Sequence, residues 1–157
     1  MSDNETRAVH DKIVEVLAGT SSVCIATSPA GAPAELWNAG AFFAELDAFT
    51  LTLLLETSGT TLRNLQSNPA AALVIAPGGA FQPFLQGRAQ ATVRDAAAKD
   101  GVLARLVRKE PQAEPLFKAV PVEAVDFTIS MWRLTDVTSG WFPGKVLTPG
   151  DTATLAS

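Results

Sequence analysis

The run from Glu56 to Asn68, ETSGTTLRNLQSN, places Thr57, Ser58, Thr60 and Thr61 around a glycine, directly ahead of a helix-forming stretch. That composition suits an anion. The first amides of a helix have no intrahelical acceptor, and the helix dipole favours negative charge at that end. The four hydroxyls add donors, and Arg63 adds charge. The same residues also fit a simpler role, in which Thr60 or Thr61 is an ordinary N-cap and no ligand is held. Side-chain catalysis has little to build on elsewhere. The chain has one cysteine, Cys24, one histidine, His10, and no tyrosine. One cysteine excludes an intramolecular disulfide and most structural zinc sites. A Ser-His-Asp or Cys-His centre would have to use His10, in a segment expected to be helical. A bound cofactor is therefore the expected source of chemistry.

The elements that must position these residues follow from periodicity. Val9, Ile13, Val16 and Leu17 form one apolar stripe over a helix at 4–18, with Asp3 or Asn4 as cap and Gly19 as a left-handed stop. SVCIAT (Ser22 to Thr27) reads as a short buried strand, in which Cys24 is a small hydrophobe. A turn at 28–31 leads to a second strand at 33–40, carrying Glu35, Trp37 and Asn38. Residues 49–55 alternate, with Leu54 breaking the polar face; a short helix at 62–67 stops before Asn68-Pro69, and 70–76 is a further strand. Phe84 to Val93 has period two, and its small residues Gly87, Ala89 and Ala91 indicate close packing by another layer. Asp95 caps a helix reaching Lys109; Pro111, Pro115 and Pro121 leave irregular chain with a turn at 116–119. Residues 125–137 form the last long strand, and the chain after Gly140 reads as a loop fading into a tail.

Short strands joined by short connections favour an antiparallel barrel over a parallel sheet. The fold class expected is mainly β (α+β), an antiparallel barrel with flanking helices: one domain over 1–145 and a tail at 146–157. Of the 157 residues, 47% are hydrophobic and 18% charged, so the chain is globular. Its net charge of −4 and lack of a basic block argue against nucleic acid. No signal peptide or membrane-spanning run is visible, so a cytoplasmic location is expected.

The run LTLLLETSGTTLRNLQSNPAAALVI resembles the central signature of the pyridoxamine 5'-phosphate oxidase-like, FMN-binding split barrels: strand, Ser/Thr-rich phosphate loop, short helix with Asn64-Leu65 and Asn68-Pro69, strand. The likeness extends upstream to VCIATSPAGAPAELWNAG and downstream to FQPFLQGRAQATV, covering about residues 20–94. It implies a flavin-dependent oxidoreductase, a homodimer with FMN at the subunit boundary and a groove for a small organic substrate. Glu35, Leu36, Trp37 and Asn38 would run beside the isoalloxazine; Thr57, Ser58, Thr60 and Thr61, aided by Arg63, would hold the phosphate; Gln82 would contact the flavin. One departure stands out. Thr60-Thr61 occupies the place where many relatives carry basic residues, which removes the strongest partners of a phosphate dianion. A deazaflavin, or binding without turnover, is the alternative; haem is disfavoured because His10 is the only imidazole.

Overall fold

The computed structural model describes residues 1–79, 81–153 and 155. β1 (Ser22–Thr27) pairs antiparallel with β2 (Trp37–Asp47) on one side and β4 (Ala70–Ile75) on the other. β4 pairs with β5 (Phe84–Val93), and β5 with the long β6 (Val122–Asp136). β6 then closes against β3 (Thr50–Glu56), which completes an antiparallel barrel of six strands. β7 (Trp141–Leu147) lies outside that ring, along the second half of β6. The architecture is the expected α+β split barrel with flanking helices.

The period-two pattern of β5 explains the core. Leu85, Gly87 and Ala89 face inward, and Gln86, Arg88 and Gln90 face out. Gly87 sits against the fully buried Trp132 of β6, whose indole N–H donates to the Ala48 carbonyl at 2.7 Å. A Cβ on Gly87 would lie 2.5 Å from the Trp132 ring, so only glycine admits that indole. Phe43, Leu51, Leu53, Ile25, Leu73 and Phe127 fill the rest of the interior. α1 (Asp3–Ala18) adds Val9, Ile13 and Leu17 to this core, and α2 (Thr60–Ser67) adds Leu62 and Leu65. α3 (Lys99–Lys109) covers the outer face of β2, β3 and β6 through Val102 and Leu106. Lys109 tethers it there: its ammonium donates to Glu45 and to the Leu17 carbonyl and lies 3.9 Å over the Phe43 ring.

Several local expectations differ from the fold. Ser2, not Asp3 or Asn4, caps α1, and Gly19 is right-handed at φ −85°. β2 starts at Trp37 because residues 33–36 form a turn, and it runs on to Asp47. Cys24 points outward and is exposed. Pro111 and Pro115 sit in the first turns of a 3₁₀ segment and of α4 (Glu114–Ala119), where a missing N–H costs little. The stretch after Gly140 is a strand, followed by α5 (Pro149–Ala153), rather than a loop and tail. Asp136 organises the turn into β7, accepting from the hydroxyls of Thr138 (2.7 Å) and Ser139 (2.6 Å) and from both amides. Burial opposes its ionisation, but these donors together hold its pKa below the ordinary 3.8.

Two outcomes follow. Gly87→Ala should destabilise the fold by about 1–3 kcal/mol through overpacking, whereas Gly101→Ala, with open space around it in α3, should stabilise by up to about 1 kcal/mol; denaturant midpoints read both. For Asp136 the native pKa is the lower one, so the unfolded chain binds more protons between the two values. Its contribution is complete above the ordinary value and is lost as pH falls through the native one. The stability gap between native protein and Asp136→Asn should therefore shrink from pH 7 to pH 3.

Candidate functional site

β2 and β3 form a ladder only from Phe43↔Leu53 to Asp47↔Thr50. Beyond it they part: the first half of β2 stays on β1, and the end of β3 stays on β6. The direction of their backbone groups follows from two bonds. The Phe43 amide donates to Ser21 at 3.0 Å, towards β1, and the Thr57 amide to Pro121 at 2.9 Å, past the β6 start. Because N–H and C=O alternate sides along a strand, Gly40 and Phe42 turn theirs away from β1, and Leu54 and Glu56 turn theirs away from β6. The ladder closes with the bond that frames the Phe43–Leu53 pair, from the Leu54 amide to the Phe42 carbonyl. Past it the Gly40 groups, the Phe42 amide, the Leu54 carbonyl and the Glu56 amide face the gap with no partner strand, and the Glu56 carbonyl accepts from Gly59 at 3.0 Å.

That gap is a cavity of about 330 Å³. Residues 39–42 of β2 form one wall, with Trp37 at its end; Leu54, Leu55 and Glu56 of β3 form the other. Gly59, Thr60 and Thr61 close one end, and Leu116, Phe117 and Val120 from α4 and the residue after it close another. Phe117 is set by an edge-to-face contact with Phe42, the ring centroids 6.1 Å apart. α2 reaches the cavity because Asn64, 5% exposed, donates to Thr27 Oγ1 of β1 at 3.1 Å, while Leu62 and Leu65 insert into the core. Its N-cap is Gly59, which offers no side-chain acceptor, so neither Thr60 nor Thr61 is the cap. The first amides of α2 have no intrahelical acceptor.

Of the residues singled out from sequence, Trp37, Thr60 and Thr61 meet at this cavity. The Trp37 indole donates to Thr61 Oγ1 at 3.2 Å, which fixes the ring against α2. Leu36 and Asn38 line a different hollow, with Trp37, Cys24, Ala72 and Val74, on the outer face of β1, β2 and β4. Glu35 is exposed in the turn before β2. The Thr57 side chain is exposed, and Ser58 donates to Glu56 Oε1 at 2.9 Å. Arg63 is exposed, with Nη2 3.4 Å from the Ser58 carbonyl. Gln82 is exposed in the β4–β5 turn and is not on the lining. Residues 39–42, Leu54, Leu116, Phe117 and Val120 were not foreseen. Their chemistry is that of core residues; only the clustering of Pro111, Pro115 and Pro121 marked the α4 region as unusual.

The lining is apolar on both walls, with backbone donors and acceptors along two edges and hydroxyls at one end. It suits a planar heterocycle. No histidine, cysteine, methionine or tyrosine lines it, and His10 lies in α1 with Nδ1 3.3 Å from Asp11. Among the described residues no group of three or more His, Cys, Asp or Glu is placed to hold a metal ion, and no helix is long and apolar enough to cross a membrane.

No protein-family model matches the sequence, and no curated protein matches it. Solved structures do match in fold. A heme binding protein from Mycobacterium smegmatis superposes with a TM-score of 0.74 at 14% identity, over 93% of this chain and 60% of its own. A Listeria innocua protein assigned as a pyridoxamine 5'-phosphate oxidase gives 0.63 at 15% identity, over 80% and 96%. A FAD-binding protein from Mesorhizobium loti gives 0.62 at 13%, over 78% and 91%. This chain thus spans about three fifths of the Mycobacterium smegmatis protein and most of the other two. At these identities the likeness is one of fold: the split barrel, on which flavin and heme binders both occur.

Asn64→Ala should cost about 1–3 kcal/mol, because it strands the Thr27 hydroxyl and unpins α2. Thermal unfolding checks this, and slower loss of amide protection at α2 than at β5 would contradict it.

Proposed function

We propose that this chain is a flavin-binding split-barrel protein, with FMN as the expected flavin and a small organic molecule as redox partner. The gap between β2 and β3 is the observation that carries the reading. Its volume falls within the range of about 300–1,000 Å³ usual for small-molecule sites. The isoalloxazine ring fits its donor set: Ile25, Ala39, Ala41 and Leu55 offer apolar surface, and the Gly40 backbone, the Phe42 amide and the Leu54 carbonyl, past the last ladder bond, offer donors and acceptors. The glycine and alanines keep side-chain bulk low on the β2 wall. Trp37, held by Thr61, borders the site. A flavin bound there supplies two-electron redox chemistry; the chain binds it, orients it and excludes water. A deazaflavin would meet the same walls. The heme reading suggested by the Mycobacterium smegmatis neighbour is less well supported, since no side chain on the lining is an axial ligand. Storage without turnover is the second reading, favoured by the lack of any basic side chain on the lining.

Trp37 also belongs to the outer hollow, where Leu36 is 77% exposed and Val74 40%. A second copy of the chain covering this face would bury those side chains and extend the cavity wall, which supports a homodimer.

Purified protein should be yellow or bind added FMN, with absorbance bleached by dithionite and recovered in air. Bleaching by NAD(P)H in addition would support turnover over storage. Protein that remains colourless after incubation with FMN and with riboflavin sinks the flavin reading. Light scattering should give a dimer, and Val74→Asp should shift it to monomer; a native monomer at micromolar concentration overturns the dimer.

A further inference from the structure

Charge around the β2–β3 gap is one-sided. Glu56 is the one titratable residue on the lining, and no lysine or arginine joins it. The Ser58 hydroxyl bonds Glu56 Oε1, which keeps the carboxylate beside the residues that lead into the first turn of α2. Glu56 is exposed and lies ahead of α2, whose first turn holds no acidic residue and whose N-terminus has no side-chain cap. Arg63 turns back towards the Ser58 carbonyl and lies off the lining. Thr61 Oγ1 is already the acceptor for the Trp37 indole. A ligand phosphate would enter next to a like charge, screened in part by solvent because Glu56 is exposed, with no cation on this lining to pair it, whereas a neutral ring meets neither effect.

We propose that this gap selects against anionic ligands, that Glu56 is the residue that sets this specificity, and that recognition rests on the ring and not on a phosphate. Its cofactor form follows from the flavin reading: riboflavin binds at least as tightly as FMN. The charge rule itself is independent of which ring is natural.

Two matched pairs of probes test it. Riboflavin and FMN share the isoalloxazine and differ in phosphate. N-phenyl-1-naphthylamine and 8-anilino-1-naphthalenesulfonate share their aromatic system and differ in a sulfonate. Titrations followed by fluorescence should show riboflavin equal to or tighter than FMN, and the neutral naphthyl probe tighter than its sulfonate by about tenfold. Glu56→Gln should tighten FMN and the sulfonate by roughly threefold to tenfold and leave the neutral probes unchanged. Val120→Lys, a cation placed at a 41% exposed position on the lining, should do the same. Arg63→Ala should alter none of the four by more than about twofold. FMN tenfold tighter than riboflavin, a sulfonate preferred over its neutral partner, or an inert Glu56→Gln would each overturn the proposal. Should neither flavin bind, the flavin reading fails, and the naphthyl pair still decides the charge rule: preference for the neutral probe upholds it, and indifference overturns it.

Discussion

The divergence of β2 from β3 after the Phe43–Leu53 pair is the constraint on which the rest of the site depends. α2 enforces it. The helix has to return the chain from the end of β3 to the start of β4, and it does so across the barrel mouth, inserting Leu62 and Leu65 into the core. Asn64 fastens it to β1, and Thr61 fastens it to Trp37 at the start of β2. Any closure of β2 onto β3 that unseated α2 would expose those leucines, which are 0% and 3% exposed. Burying two leucines is worth about 3–6 kcal/mol. A few recovered backbone pairs are worth about 0.5–1.5 kcal/mol each, since water already satisfies the open edges. Burial wins, and the seam stays apart.

Strands with clean alternation were legible in the sequence. Phe84 to Val93 reads as a strand with the correct inward face, because a half-buried strand writes its burial into every second residue. β7 was not legible. Pro143 and Gly144 interrupt it, and both suit a strand with one free side. Gly144 is needed there: a Cβ would stand 2.6 Å from the Leu134 carbonyl of β6. Cys24 misled for a related reason. Val23 to Ala26 is apolar without a break, yet β1 buries only one face, and composition alone does not say which residues face outward.

The site was legible where its chemistry is polar. Thr60, Thr61 and Trp37 were all marked, and all three border the cavity. Its walls were not. Alanine, leucine and phenylalanine lining a gap carry no sign in sequence that separates them from the same residues in a core. What turns them into the walls of a cavity is pairing register: β2 and β3 pair only from Phe43–Leu53 onward. Gln82, picked out by its position along the chain, is exposed in the turn before β5 and lies off this lining.

The closing seam of the barrel has a kinetic meaning. β3 meets β6 at Thr50↔Thr128, so the pairing joins residues about half the chain apart. Contacts of such separation carry a large loop entropy and form late. The β3 wall of the gap, from Leu54 to Glu56, has no other strand to hold it. A molecule that bound in the gap would need both walls in place, and so would favour the closed barrel. A ligand that bound there would, by mass action, lower the population of seam-open states and act as a non-covalent staple across the barrel's most sequence-distant pairing.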